Sequence, residues 1–358
     1  MPSLKEIKGR INSISSTLAI TSAMKMVASA KLQKAQMAIQ NMLPYERRLY
    51  SMLLDLMGAM NISAAASEDG SVRGSGSAER GFDQSGDRLS LSNRHDLAGM
   101  DGAYSLMAQR EVRKVAIVAF ASNSSLCGAF NSNVIREATA VINEYRASGL
   151  GDADITVYSV GRKMAETMKK LGFPSPADFT KMSDSPSYEA ASALAQELLD
   201  GFVSGRFDKV ELVYNHYKST SSQPTTRQTY LPLSLADATA DLQAGKIADS
   251  ASESDTNRGA EPVGAPVVRQ GSPTTEDLIV EPSKEALIAT LLPKVIRLRI
   301  FTTLLDSAAA EHAARTVAMQ LATDNGNDLL QELTLEYNKG RQQKITSEIL
   351  DLVGGSMQ

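Results

Sequence analysis

From Leu4 to Met60 the chain keeps a single grid of threes and fours: Leu4, Ile7, Ile11, Ile14, Leu18, Thr21, Lys25, Ala28, Leu32, Ala35, Ile39, Met42, Glu46, Leu49, Leu53, Leu56 and Met60. Such a repeat, held for about eight heptads, makes a seam that must be buried against a second helix. Thr21, Lys25 and Glu46 break its apolar rule, and Pro44 is expected to kink or divide the helix because it lacks an amide hydrogen. Ser3 and Glu6 have the spacing of a capping box, which starts the helix at its N-terminus. Residues 3–58 would reach roughly 80 Å if continuous, so the element must project from any compact domain.

The far end of the chain carries a matching pattern. After Pro282-Ser283, with Glu285 in the first turn, Leu287, Leu291, Lys294, Leu298, Phe301, Leu305 and Ala308 occupy a similar grid, with Pro293 expected to disturb it locally. Alanines at 308–310, 313, 314, 318 and 322 narrow the following stretch and let a neighbouring helix approach closely. Each terminal stripe is too long to be buried by a domain of about 150 residues. The two are therefore expected to pair as an antiparallel hairpin.

Between them, Val115–Phe120, Ile155–Val160, Val210–Tyr214, Thr229–Leu233 and Leu278–Val280 read as strands, and helical patterns cover 131–147, 161–171 and 187–203. Alternation of this kind predicts an α/β layer with parallel strands. Ser, Gly, Asp and Arg dominate 62–110 and a second low-complexity stretch covers 237–274, and both are expected to be mobile insertions. The predicted organisation is an N-terminal coiled-coil helix over 1–61, the insertion 62–110, an α/β domain over 111–281 containing the insertion 237–274, and a C-terminal coiled-coil helix over 282–358.

Several chemistries lack their residues. There is no phosphate-cradling G-x-x-x-x-G-K-[ST] string, no H-E-x-x-H and no G-x-S-x-G. A single cysteine, Cys127, excludes an intrachain disulfide framework, and with only His95, His216 and His312 scattered along the chain a structural zinc site has no ligand set. Cys127 is read as a small buried thiol, and His312 as a partly exposed polar residue of a coiled coil. A net charge of −4 argues against a wholly basic polyanion binder, and no run of about 18 uncharged apolar residues exists to span a bilayer. Helical patterning that begins immediately after Met1-Pro2 leaves no space for a cleavable leader, which favours a bacterial cytosolic product.

Three strings carry a resemblance. Ile20 through Leu32 (ITSAMKMVASAKL), Leu126 through Asn131 (LCGAFN), and a C-terminal series comprising Ala313-Ala314-Arg315, Ala322-Thr323-Asp324-Asn325 and Leu335 through Ile349 resemble, in order and spacing, the signatures of the gamma subunit of F-type ATP synthases. The resemblance spans about residues 3–357 and leaves the two insertions unmatched. It implies an α/β fold class: a long antiparallel two-helix coiled coil from the N- and C-terminal helices plus a central Rossmann-like α/β domain. It also implies a non-catalytic rotor, the central stalk that couples proton or sodium flow to ATP synthesis or hydrolysis at the beta sites. The implied partners are three alpha and three beta subunits, the epsilon subunit and the c-ring, with no cofactor and with peripheral placement on the cytoplasmic face of a bacterial inner membrane. Residues carried over as contacts with the alpha/beta sleeve are Met24, Lys25, Arg315, Arg341, Gln342, Thr346 and Glu348.

Two departures accompany the match. Asn123-Ser124-Ser125 stands where the family usually has Asp, Arg and Gly, and Ala19 stands where it often has Lys, so the resemblance does not carry over a charge-dependent contact at the turn or one basic contact with the sleeve. Residues 1–57 hold eight basic and three acidic side chains, an excess of five that suits acidic levers on a surrounding sleeve. The competing classes are a nucleotide-binding α/β enzyme with a helical arm and a coiled-coil scaffold without a motor role. An enzyme would need convergent acids, bases or a Gly-rich loop at its strand ends, and the sequence supplies none.

Overall fold

The computed structural model describes residues 3–68, 106, 110–233, 281 and 283–355. The chain opens with α1 (Leu4–Glu68) and closes with α6 (Lys284–Gly355), each roughly 100 Å long at the usual rise per residue. They run antiparallel. Leu4 lies against Gly340 and Leu18 against Gly326, Thr323 donates to Thr21 at 3.1 Å, Thr302 to Glu46 at 3.0 Å and Arg299 to Tyr50 at 3.1 Å, so one partner's number falls as the other rises.

Every described position of the α1 grid is buried or half-buried. Two of the three residues that break its apolar rule, Thr21 and Glu46, hydrogen-bond across the seam to α6. Ser3 Oγ accepts the Glu6 amide at 3.2 Å, as the capping spacing predicts. Pro44 does not divide the helix, and Pro293 does not divide α6. The missing backbone bond is outweighed in each case by packing on either side: Met42 and Glu46 are held against the partner, and Leu292 and Val295 are fully buried. α1 also continues to Glu68, past the boundary expected at 61.

The grid in α6 needs correction. Lys294 is exposed, and from Val295 to Ala310 the helix is buried on nearly every face rather than along one stripe. The reason lies in the central domain, which packs against the side that α1 leaves free. That domain is a four-stranded sheet of order β2-β1-β3-β4, made of β1 (Val115–Phe120), β2 (Ile155–Val160), β3 (Lys209–Asn215) and β4 (Thr225–Leu231). β1 pairs in parallel with β2 and β3, and β4 closes the edge antiparallel to β3. The fourth strand begins earlier than its sequence suggests because Thr225–Thr229 is half-buried and polar, held by backbone pairing rather than by an apolar alternation.

Period-two alternation along β1 builds two cores. Val115, Ile117 and Ala119 face α2 (Phe130–Ala147) and α3 (Arg162–Lys170), while Ala116, Val118 and Phe120 face α5 (Tyr188–Val203), α1 and α6. A five-residue helix, α4 (Thr180–Asp184), was not legible in the sequence. The sharp turn from β2 into α3 requires Gly161: its φ is +97°, and a Cβ there would lie 2.0 Å from the Ala121 carbonyl oxygen. Leu106 and Arg110, at the end of the expected insertion 62–110, are docked, with the Leu106 carbonyl accepting the Leu233 amide at 3.0 Å and Arg110 donating to the Phe202 carbonyl at 3.1 Å. The remainder of that insertion after Glu68, the insertion 237–274 and the strand expected at Leu278–Val280 lie outside the described residues.

Candidate functional site

Open parallel sheets bind ligands where strand order reverses, outside the carboxyl ends of the strands. Here that point lies between β1 and β3, and the chain fills it with its own side chains. After β1, Asn131 accepts the Ser122 amide at 2.9 Å and donates to Ser122 Oγ at 3.0 Å, to the Ser124 carbonyl at 3.1 Å and to Cys127 Sγ at 3.2 Å. From the end of β3, Asn215 donates to the Phe130 carbonyl at 3.0 Å. The turn is tight enough to hold Leu126 at φ +67° and Gly128 at +57°, with Gly128 facing Ala318 of α6. A separate small cavity, lined by Phe120 of β1, Val160 of β2, Ser183, Ser307 and Glu311, is about large enough for one water. Among the described residues, no three His, Cys, Asp or Glu are grouped to hold a metal.

α6 crosses these strand ends and is tied to them by polar contacts at two levels. Arg315 donates to Glu311 at 2.7 Å and to Ser124 at 2.7 Å, which ties α6 to the turn after β1. Burial raises the Glu311 carboxyl above its ordinary value, opposed by Arg315. One turn away, Asp306 accepts both the Tyr217 amide and His216 Nδ1. His312 has a buried, unpaired Nδ1, and burial, assisted by Arg315 and Lys31, pushes its pKa down to about 4.

The residues singled out from sequence are distributed along the pair. Met24 and Lys25 are half-buried on α1, while Arg341, Gln342, Thr346 and Glu348 are exposed near the end of α6. Thr346 Oγ1 donates back to the Gln342 carbonyl at 2.9 Å, and Lys344 lies 3.7 Å from Glu348. Arg315 is different: it is turned inward and nine-tenths buried. Sequence reading missed Asp306, Tyr217 and Glu311, because each gains its meaning from a partner on another element or, for Glu311, from burial that no local pattern announces. Large apolar side chains are left in the open along the projecting pair, among them Ile20, Met26, Leu335 and Leu352, at 60%, 65%, 66% and 74% exposure.

The family described as ATP synthase matches residues 3–357. The ATP synthase gamma chain of Phocaeicola vulgatus is 47% identical over 357 residues, and that of Bacteroides thetaiotaomicron 45% identical over 358, each alignment covering 100% of both chains. The chain belongs to the gamma-subunit family of F-type ATP synthases. A chain in the rotor of the Euglena gracilis mitochondrial ATP synthase is also similar, with 18% identity, a TM-score of 0.49 and coverage of 96% of this chain and 98% of its own. A gamma subunit is the central stalk, and catalysis occurs on the beta subunits. In this gamma-family domain the turn after β1 occupies the switch-point crevice of the layered sheet. No helix among its described residues is long and apolar enough to cross a membrane.

Proposed function

We propose that α1 and α6 turn as an axle within a ring of three alpha and three beta subunits, one gamma per ring. The α/β domain is the foot, standing on the c-ring with the epsilon subunit beside it, at the cytoplasmic face of a bacterial inner membrane. Rotation carries hydrogen ion transport, or sodium transport, into the nucleotide affinities of the beta sites. The observation that carries this reading is the row of exposed apolar side chains along a projecting antiparallel pair. A surface of that kind calls for a covering partner, and its lopsided profile is what a threefold ring would sense. The basic excess of residues 1–57 suits acidic levers on that partner.

Met24 and Lys25 on α1, with Arg341, Gln342, Thr346 and Glu348 on α6, form the contact set. Arg341 is able to fork onto a carboxylate, and Gln342 and Thr346, four apart, share a face. Arg315, already held by Glu311 and Ser124, acts on the sleeve only by fixing the central turn.

Co-expression with the alpha and beta subunits of the same genome tests the reading. A complex with one copy of this chain per three alpha-beta pairs is expected, and a stable homodimer of the chain alone counts against it. Arg341→Ala or Thr346→Ala should weaken assembly or coupling, and tight ATP binding by the isolated chain would overturn the assignment.

A further inference from the structure

The loop between β3 and β4 touches both helices of the axle at one level. Toward α6, Asp306 accepts the Tyr217 backbone N–H at 2.9 Å and His216 Nδ1 at 2.6 Å. A carboxylate only accepts, so Nδ1 is the donor. Toward α1, Gln36 Nε2 donates to the Tyr217 hydroxyl at 2.5 Å. The Tyr217 ring packs between these points, against Leu32 of α1 and Ala309, Ala310 and Ala313 of α6, where small side chains leave room for it. The loop is braced from below, with the His216 amide donating to the Pro224 carbonyl at 2.9 Å and Asn215 to Phe130 at 3.0 Å. One tyrosine thus joins the sheet, α1 and α6.

We propose that the His216–Tyr217 loop is a torsional clamp that locks both axle helices to the foot, with Asp306, Gln36, Tyr217 and His216 as positioning residues for torque transfer. Below this level the helices are fixed by the apolar core of the domain, and above it the foot still meets α6 through the Arg315–Ser124 bond and the approach of Gly128 to Ala318. A clamp where the foot grips α1 and α6 at one level restrains their twist together and therefore sets how much elastic twist is stored between chemistry and proton flow.

The clamp has a pH dependence. The hydrogen bond to Asp306 holds the His216 pKa above its ordinary value, against burial and the repulsion of Lys218. Asp306 on α6 and Lys218 on the loop are the charged groups acting on it, while α1 contributes the neutral Gln36 at this level. A raised value means that the charge-assisted bond is fully present below about pH 6.5 and weakens as pH rises through the folded-state value. The axle should be stiffest on the acid side.

The inference rests on the proposed seating of the axle in an alpha/beta ring, and the test separates the two. In the assembled complex, the angular fluctuation of a bead attached to the foot is recorded while the ring is fixed and the rotor stalled. Tyr217→Phe, which removes one oxygen, and Asp306→Ala should each broaden the distribution, and ATP-driven proton pumping should fall while ATP hydrolysis persists. His216→Gln, whose amide still donates to Asp306, should keep the parent stiffness and lose its change between pH 6 and pH 9. Unchanged widths in Tyr217→Phe and Asp306→Ala overturn the clamp, and should Asp306→Ala fail to assemble, Tyr217→Phe decides alone. A parent chain that neither assembles nor turns overturns the seating as well.

Discussion

The two helices of the axle lead different lives at their two ends. Near the foot, Leu53 is 1% exposed and Leu292 is fully buried, and α6 is enclosed on almost all sides between α1 and the sheet. Toward the tip, seam residues such as Ile11, Ile14 and Leu18 are only half-buried, and Leu352 is 74% exposed. The helix pairing is the same in both places. Two helices cover only a narrow stripe of each other, so dense burial appears where a third layer is added. The foot supplies that layer at the base, and the tip leaves its apolar side chains exposed.

If that contrast is right, the base should govern the stability of the isolated chain. Leu53→Ala removes a side chain enclosed by the domain core and should cost about 2–5 kcal/mol in urea unfolding. A loss no larger than that of an exposed leucine at the tip would erase the distinction. A second probe of the base is charged. Glu211 of β3 is 1% exposed and is held by Arg227 at 2.7 Å, Lys209 at 2.6 Å and Tyr145 at 2.6 Å. Burial pushes its carboxyl up, but the hydrogen bonds from Arg227, Lys209 and Tyr145 outweigh it and hold the pKa below its ordinary value. Glu211→Ala leaves two cations without their shared partner, and because both are partly solvated the expected loss is about 2–3 kcal/mol. The lowered pKa adds a sign: its contribution is complete above the unfolded-state value and disappears as pH falls through the folded one, so Glu211→Gln should flatten the acid limb of a melting profile.

The tip should respond to steric insult and little else. A Cβ on Gly326 would lie 2.6 Å from Leu18 Cδ2, which shows how closely α1 and α6 approach there. Gly326→Val should loosen the pair by roughly 1–2 kcal/mol, and Leu18→Ala in the same chain should recover part of the loss. Hydrogen exchange read along both helices checks this, with faster exchange confined to residues around 18 and 326. Additive losses from the two substitutions would mean that the helices do not touch at this point.

These differences explain what could be read in advance. The α1 grid was legible because one partner, α6, defines one stripe, and even Thr21 and Glu46 proved to be seam residues with hydrogen-bond partners across it. The grid assigned to α6 failed at Lys294 because two different layers pack on that helix and its periodicity blurs. Three strands were recognisable from apolar runs that are largely buried on both faces and β4 from its apolar end, while the polar start of β4 and the short α4 depend on pairing and packing that no local pattern announces. Arg315 was identified through the motif and is held by Glu311 and by Ser124, which is 191 positions away. Asp306 and Tyr217 were invisible for the same physical reason, since loop and helix meet across 89 positions.

The smallest expected effect sharpens the comparison most. Lys344 and Glu348 form a pair at 3.7 Å whose side chains are 67% and 63% exposed, near the end of α6 and beyond the reach of the foot. Exposed pairs of this kind add little to folding, because water screens them and two long side chains must be ordered to make them. Glu348→Ala should therefore leave the melting temperature of the isolated chain unchanged within error. In the assembled complex the same substitution removes a charge from the proposed contact face, and ATP-driven proton pumping should fall without a matching change in stability. A residue that matters to the machine and not to the fold is what an outward-facing tip predicts. A drop in melting temperature comparable to that of Leu53→Ala would show instead that the tip is held by the chain itself.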